Sequence, residues 1–570
     1  MRNKFIICAI FASLILLPVK GRSCSNVIVT KGASADGSVL VSYSADSHQI
    51  YGELYHTPAG TFAKGSKLAV YCWDNGKFMG NIPQVPVTYS TMGNMNEHQL
   101  IFTETTFGGR EELVDTTGIM DYGALIFITL QRAKSAREAI AVVADLVERY
   151  GYASEGESFS IADPNEVWIM EIVGKGVKLN KKGENVNRGA NWVAVRIPDG
   201  CISAHANQSR ITTFNMNDPE NCLYSKGIVE FARQAGYFSG KDEEFSFADA
   251  FAPADFGTVR GCDARVWSAF NILGEGKFDG VDAMEWMDYI NGENLTHRLP
   301  LYIKPARKLT VKDIADVMRD HYEDTPLDMR KDAGAGGFEL PYRWRPMHFE
   351  YDGKSYFNER AIATQQTGYW MVGQARGWLP DIVGGVIWFG VDDAATSCLT
   401  PVYTSGLHAP RCFAEGNGDM ITYSDESAFW LFNKVAQQCY LRYNYMAPEV
   451  QKAAAEHEEG ALQVISLVDE IAKKALESEP DQAVAQEKVK ALLTDWSDRL
   501  AERMFKRWKM LSNHLLVKYI DGNIKKQNPD GSFKTNGYSK SIPEMPSQPG
   551  YSEKWKEAVA KDLGDRLLAH

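Results

Sequence analysis

The sequence predicts an α+β fold with a helical C-terminal extension. Three observations carry the prediction: alternating apolar runs separated by turn residues from residue 24 to about residue 420, a helix-spaced block near residues 122–150, and a change to long helical stretches after about Ser424. The expected organisation is residues 1–23 as a signal peptide, 24–423 as the main domain, and 424–570 as the helical extension packed on it.

At the start of the chain, Arg2 and Lys4 precede the apolar run FIICAIFASLILL, which is followed by Pro18 and by Gly21 and Ser23 at the −3 and −1 positions relative to Cys24. That is the layout of a secretory signal peptide. The run of about 13 residues falls short of the about 20 that cross a bilayer, and no later segment reads as a membrane span. From Cys24 the text CSNVIVTKGASADGSVLVSYSAD gives an alternating run through Val27 and Val29, a turn carrying Gly32, Asp36 and Gly37, and a second run from Val39, hence two strands. Tyr122 to Tyr150 has apolar residues at helical spacing and no proline, so one or two helices are expected. Strand-like runs follow in SFSIADPNEVWIMEIVG, with a turn at Asp163 and Pro164, in NWVAVRIPDGCISAHAN, and later in GGVIWFGVDDA. After Ser424, the segments Phe429 to Tyr445, Ala447 to Glu477 and Gln482 to Tyr519 read as long helices charged on one face.

Composition removes several functions. At 570 residues, with 44% hydrophobic and 11% aromatic residues, the chain has material for one large domain with an appended part. A net charge of −12 argues against general nucleic-acid binding, which needs a basic footprint, and gives no attraction to anionic lipid. Of nine cysteines, Cys8 falls in the leader, and the others are widely spaced with no CxxC, so no zinc site is indicated. The glycines Gly334, Gly336 and Gly337 lack the context of a phosphate-binding loop, and neither HExxH nor GxSxG occurs. No metal or cofactor is expected. His205 reads as a structural hydrogen-bonding residue.

The chemistry centres on Cys24. One cleavage after Ser23 makes it the first residue, and a free α-amino group, titrating near about 8, can take the proton of the neighbouring thiol. This is the N-terminal nucleophile arrangement, and the uncleaved precursor is inert because a peptide nitrogen stands where the amine is needed. Two other readings stand beside it. Cys24 could carry lipid, since Ser23 is tolerable there although Arg22 and Gly21 fit poorly, or it could be a structural cysteine.

The ordered segments SCSNVIVTKGASADGS, MGNMNEHQLIFTETTFGGR, ESFSIADPNEVWIMEI, WVAVRIPDGCISAHANQSRI, CDARVWSAF, TPLDMRKDAGAGGF and NERAIATQQTGYWMVGQARGWLPDIVGGVIWFG resemble the C69 family of cysteine dipeptidases, over roughly residues 24 to 420. The resemblance implies the four-layer αββα sandwich of N-terminal nucleophile hydrolases and hydrolysis of dipeptides through a cysteinyl acyl-enzyme. By the same resemblance Cys24 is the nucleophile, Asp46 the acidic residue near its amine, Asn207 a donor to the oxyanion, and Arg265 the late active-site arginine. A second oxyanion donor is expected as a backbone N–H near Thr105. Glu104 and Arg210 are the candidates to meet the amine and the carboxylate of a dipeptide. Related enzymes commonly carry an arginine three residues before the aspartate, where this chain has Tyr43; a phenol cannot stabilise a thiolate as a fixed cation does. The expected protein is therefore an exported bacterial dipeptidase, periplasmic, extracellular or at the cell surface, with dipeptides as partners and homo-oligomerisation left open. Two alternatives remain at this stage: an amidase or acyltransferase acting on non-peptide amides with the same nucleophile, and a non-catalytic lipidated surface binding protein.

Overall fold

The computed structural model describes residues 24–569, so the signal-peptide expectation for residues 1–23 lies outside the described residues. In chain order the main strands are β1 (Asn26–Val29), β2 (Val39–Asp46), β3 (His56–Thr57), β4 (Thr91–Met92), β5 (Met95–Asn96), β6 (Ile101–Phe107), β7 (Gly156–Ala162) and β8 (Val167–Gly174). They continue with β9 (Ala190–Arg196), β10 (Ile202–His205), β11 (Cys222–Tyr224), β12 (Tyr302–Ile303), β13 (Thr367–Ala375), β14 (Gly385–Val391) and β15 (Thr400–Tyr403). The helices used below are α1 (Tyr122–Leu130), α2 (Ala136–Tyr150), α3 (Ala264–Leu273), α4 (Val311–Met318), α5 (Ala428–Leu441), α6 (Tyr443–Ser478), α7 (Gln482–Tyr519) and α8 (Glu553–Leu563).

The strands form a seven-stranded sheet in the order β12-β10-β1-β2-β13-β14-β15 and an eight-stranded sheet in the order β11-β9-β8-β7-β6-β5-β4-β3. Their side chains sort by the two-residue period of a strand. Val41 and Tyr43 of β2, Met371 of β13 and Phe389 of β14 share one core with Ile101 and Phe107 of β6 and Ile169 of β8. The alternate residues Leu40, Trp370, Val372 and Trp388 enter a second core with Trp267 and Phe270 of α3, Ile314 of α4 and Val489 of α7. On the eight-stranded sheet, Phe102, Phe159, Trp168 and Met170 enter a third core with Leu125 of α1 and Ile140 and Val143 of α2. The fold is therefore mixed helix and sheet, with both faces of each sheet carrying buried side chains.

Local chemistry accounts for the elements. The turn between β1 and β2 is closed by Asp36, whose Oδ1 accepts from Ser34 Oγ at 2.7 Å and from Ser38 N at 3.0 Å, with Gly37 at φ +81°. The block at 122–150 forms two helices, because Ser135 caps a second start and accepts from Glu138 N while Lys134 N donates to the Glu138 carboxylate at 2.8 Å. The turn after β7 follows Asp163, whose Oδ1 accepts from Asn165 N at 2.7 Å and Glu166 N at 3.1 Å. The run NWVAVRIPDGCISAH does form two strands, but β9 lies in the eight-stranded sheet and β10 in the seven-stranded one. That change of sheet brings the segment after β10 to the start of β1.

The three long C-terminal helices occur close to the predicted spans and contribute to the cores rather than standing apart. Phe432 and Val435 of α5 and Trp508 and Leu515 of α7 belong to the core shared by the two sheets, and Ala461 and Ile465 of α6 to the core beneath the seven-stranded sheet. Further on, Tyr551 and Trp555 stack with centroids 3.7 Å apart and cover Gly337, where a Cβ would stand 2.6 Å from the Tyr551 ring. The glycine-rich segment is thus a packing site for α8.

Burial along α7 makes a stability prediction. Trp508 is fully enclosed and stacked on Phe432 with centroids 4.8 Å apart, whereas Met510 is 72% exposed. Trp508→Ala should lower unfolding free energy by about 3–5 kcal/mol, and Met510→Ala by no more than about 0.5 kcal/mol. Denaturant midpoints of the two variants measure the contrast, and equal small shifts would mean that α7 is not part of the core.

Candidate active site

Two registers set Cys24 between two neighbours. β1 pairs antiparallel with β10 as Asn26↔His205, and continuing that register by two residues sets Asn207 beside Cys24. On the other side, Ser25 bridges Ser44 near the end of β2, which brings the Ala45–Asp46 corner to Cys24. Cys24 therefore stands at a strand end, held on both flanks by backbone pairing, and is 5% exposed.

The thiol faces a carboxylate and a phenol. Cys24 Sγ lies 3.6 Å from Glu104 Oε1 and 3.9 Å from Tyr43 Oη, and Tyr43 Oη donates to the same Glu104 oxygen at 2.6 Å. Burial pushes the Cys24 thiol well above its ordinary value; Glu104 and then Asp46 add to this, while the Asp46 N–H and the Tyr43 hydroxyl oppose it. In this state the sulfur is held as a thiol. Burial pushes the Tyr43 phenol upward, so it acts as a donor and not as a charge.

Arg265 organises the backbone around Cys24. Its Nη1 donates to Cys24 O at 2.6 Å and Ser25 Oγ at 2.8 Å, its Nη2 to Ala206 O and Asn207 Oδ1, each at 3.0 Å, and its Nε to Gly261 O at 3.0 Å. A guanidinium has five N–H donors, and all five are engaged. Arg265 is therefore a positioning residue with no hydrogen left for a substrate. The Asn207 amide is held at both ends, Oδ1 by Arg265 and Nδ2 by Thr106 O at 2.6 Å, and its second Nδ2 hydrogen has no partner among the described residues.

Asn207 sits at φ +61°, in the left-handed region that asparagine tolerates better than most residues. The turn is held from below by Glu171 of β8, whose carboxylate accepts from Arg210 N at 2.6 Å, from Ile211 N at 3.2 Å and from the Ser209 hydroxyl. Burial raises the Glu171 carboxyl, and these donors oppose that shift.

Asp46 has a matching support. Its carboxylate accepts from Thr367 Oγ1 at 2.7 Å and Ser44 Oγ at 3.0 Å and forms an ion pair with Arg360. Burial holds the Arg360 guanidinium down, to about 10. Arg360 was not singled out from the sequence; it lies in the segment NERAIATQQTGYW, 314 residues from its partner. Tyr43 as a link to Glu104, and Glu171 as the anchor of the Asn207 turn, were likewise unforeseen.

Two expected residues lie elsewhere. Arg210 directs Nη1 and Nη2 to the carbonyls of Ala204 and Pro300, faces Asp263 at 3.9 Å and is 5% exposed, so its guanidinium is enclosed away from Cys24's partners. Thr105 donates or accepts at His205 Nδ1 over 2.8 Å, and Ser160 meets His205 Nε2 at 2.6 Å. Burial drives His205 down to about 3, which makes it a neutral hydrogen-bonding residue. Backbone groups of β6 alternate in direction: Phe102 N donates to Asn94 O and Thr106 O accepts from Asn207, so the even-numbered residues face away from β7. The N–H on the Asn207 side is thus that of Thr106, one residue beyond Thr105.

Among the described residues, no group of three or more His, Cys, Asp or Glu side chains is arranged to hold a metal ion, and no helix is long and apolar enough to cross a membrane. All eight cysteines from Cys24 onward are free thiols. The cluster of Cys24, Asn207 and Asp46 thus lies where the two sheets meet in a mixed helix-and-sheet chain, and comparison gives the family. Residues 23–456 match peptidase family C69, and the chain belongs to that family. It is 26% identical over 456 residues to a probable dipeptidase of Latilactobacillus sakei, covering 76% of this chain and 85% of the relative. A probable dipeptidase of Salmonella dublin is 24% identical, covering 70% and 84%, and dipeptidase A of Lactobacillus helveticus is 22% identical, covering 74% and 82%.

The charge arrangement predicts the thiol's titration. Glu104→Gln removes a negative charge beside sulfur, so the thiol should ionise at lower pH and alkylate faster with iodoacetamide. Tyr43→Phe removes the hydroxyl that donates to Glu104 Oε1, leaves that carboxylate's charge less compensated beside sulfur, and should slow alkylation. Site-resolved mass spectrometry of Cys24 against pH gives both signs, and a rate unchanged in Glu104→Gln would contradict the contact.

Proposed function

We propose that this chain is an exported dipeptidase that works through Cys24 as an N-terminal nucleophile. The observation that carries the proposal is the convergence on one thiol of Asn207, Asp46 and Glu104, each delivered by a different strand or loop. The two sheets with helical cores on their outer sides support the four-layer αββα sandwich of N-terminal nucleophile hydrolases, and the leader sequence supports export. The dipeptidase names of the relatives support the substrate class.

In this reading, cleavage after Ser23 frees the Cys24 amine. The neutral amine takes the Sγ proton, the thiolate attacks the scissile carbonyl, and the oxyanion is met by the free Asn207 Nδ2 hydrogen and the Thr106 N–H. Collapse breaks the carbon–nitrogen bond, and the Cys24 ammonium returns its proton to the leaving amino acid. Water, deprotonated by the restored amine, attacks the thioester carbonyl and expels the thiolate, releasing the first amino acid. Asp46, fixed by Arg360 and Thr367, orients the ammonium, and a substrate amine beside the reacting carbonyl is within reach of Glu104. Burial and the nearby carboxylates keep the thiol protonated before cleavage, so the new ammonium is also the charge that eases its ionisation.

Protein recovered after export should begin at unmodified Cys24 by intact mass and N-terminal sequencing. Cys24→Ala in the same processed form should lose dipeptide hydrolysis by about 10⁴-fold or more, and N-acetylated dipeptides should be poor substrates because they lack the amine for Glu104. A lipid adduct on Cys24, or parent-level activity in Cys24→Ala, would sink this reading and favour a lipidated binding protein.

A further inference from the structure

With Arg210 enclosed and every Arg265 donor engaged, the substrate's free carboxylate needs another partner. The segment Tyr342–Met347 offers one. It is anchored at both ends: Tyr342 donates to Asp393, Arg343 Nη2 donates to Met329 O at 2.9 Å, Gln365 Nε2 donates to Arg343 O at 2.8 Å, and Asn358 N donates to Met347 O at 3.0 Å. Tyr342, Arg343 and Met347 are buried, and between them Trp344, Arg345 and Pro346 are exposed.

Arg345 is aimed from this strap toward the Cys24 corner. Its Nε donates to Gln366 Oε1 at 3.1 Å, and the Gln366 carbonyl accepts from Ser47 N at 3.0 Å, one residue past Asp46. Burial and the nearby Arg265 hold its guanidinium below the ordinary value, while Asp46 opposes that shift, so all three charges sense one another. Arg360 is paired with Asp46, Arg265 donates only to neutral acceptors, and Arg345 makes no ion pair among the described residues. An anion arriving between Arg345 and Cys24 would complete this set. With Nε anchored on Gln366, the Nη1 and Nη2 edge of Arg345 is left as a fork of the shape a carboxylate accepts. In a dipeptide that carboxylate lies only one residue, about 3.3–3.6 Å of chain, beyond the scissile carbonyl.

We propose that Arg345 is a specificity residue that binds the free α-carboxylate of the dipeptide's second residue and thereby restricts cleavage to bonds one residue from a free C-terminus. The proposal rests on the Cys24 dipeptidase reading and deepens it. Longer peptides place an amide where Arg345 requires a charge.

The test compares kcat/KM for an alanyl dipeptide with that for its C-terminal amide, in processed wild-type protein and in Arg345→Gln and Arg345→Lys. The wild type should prefer the free carboxylate. Arg345→Gln should lower the dipeptide-to-amide ratio by about 10- to 100-fold, chiefly through KM, the range expected for losing charge-assisted hydrogen bonds. Arg345→Lys, which keeps the charge and loses the fork, should fall between, and it supplies the ratio if the glutamine variant does not fold. A wild type that cleaves dipeptides while the variants keep its ratio overturns the role of Arg345 alone. A wild type that cleaves neither compound overturns the dipeptidase reading and the Arg345 role together.

Discussion

The site depends on one buried guanidinium. Arg265 joins the Cys24 carbonyl, the Ser25 hydroxyl, the Ala206 carbonyl and the Asn207 amide to the turn at Gly261, and it does so with no carboxylate among those five contacts. A charge held on neutral oxygens is tightly placed, because losing any one acceptor leaves an N–H unsatisfied away from water. The consequence is a rigid frame in which the thiol and the asparagine amide keep their spacing.

Around this frame each functional side chain has its own support. Glu171 gathers backbone N–H groups of residues 210 and 211 and so shapes the turn that carries Asn207. Arg360 and Thr367 hold Asp46. Tyr43 connects Cys24 to Glu104 and couples the thiol to a carboxylate through a neutral donor. The carboxylates of Glu104 and Asp46 work against ionisation of the thiol.

The C-terminal helices belong to this economy as well. Trp508 and Phe432 complete the core beneath the strands that carry Tyr43 and Asp46, and α8 packs on the glycine-rich turn that leads into the strap bearing Arg345. An extension that looks separable by composition is therefore continuous with the packing that sets the site.

What the sequence alone determined was local. The paired strands about Gly37, the two helices from Tyr122 to Tyr150, the long C-terminal helices, the special position of Cys24 and the family itself all follow from short-range patterns, since alternation, helical spacing, caps and ordered motifs act over a few residues. Asp46, Asn207 and Glu104 could be named because they lie in those motifs. The tertiary structure alone decided which side chains are free to act. Arg210 and Thr105 sit in the expected motifs, yet their side-chain polar atoms are taken by Ala204, Pro300 and His205, while Thr106 meets Asn207, Arg360 pairs with Asp46 and Arg345 reaches Gln366. The reason is that β9 and β10, adjacent in sequence, enter different sheets, and pairs such as Asp46 and Arg360 close over 314 residues. Hydrogen-bond capacity is used up by neighbours in space, and no pattern along the chain records which neighbours those are.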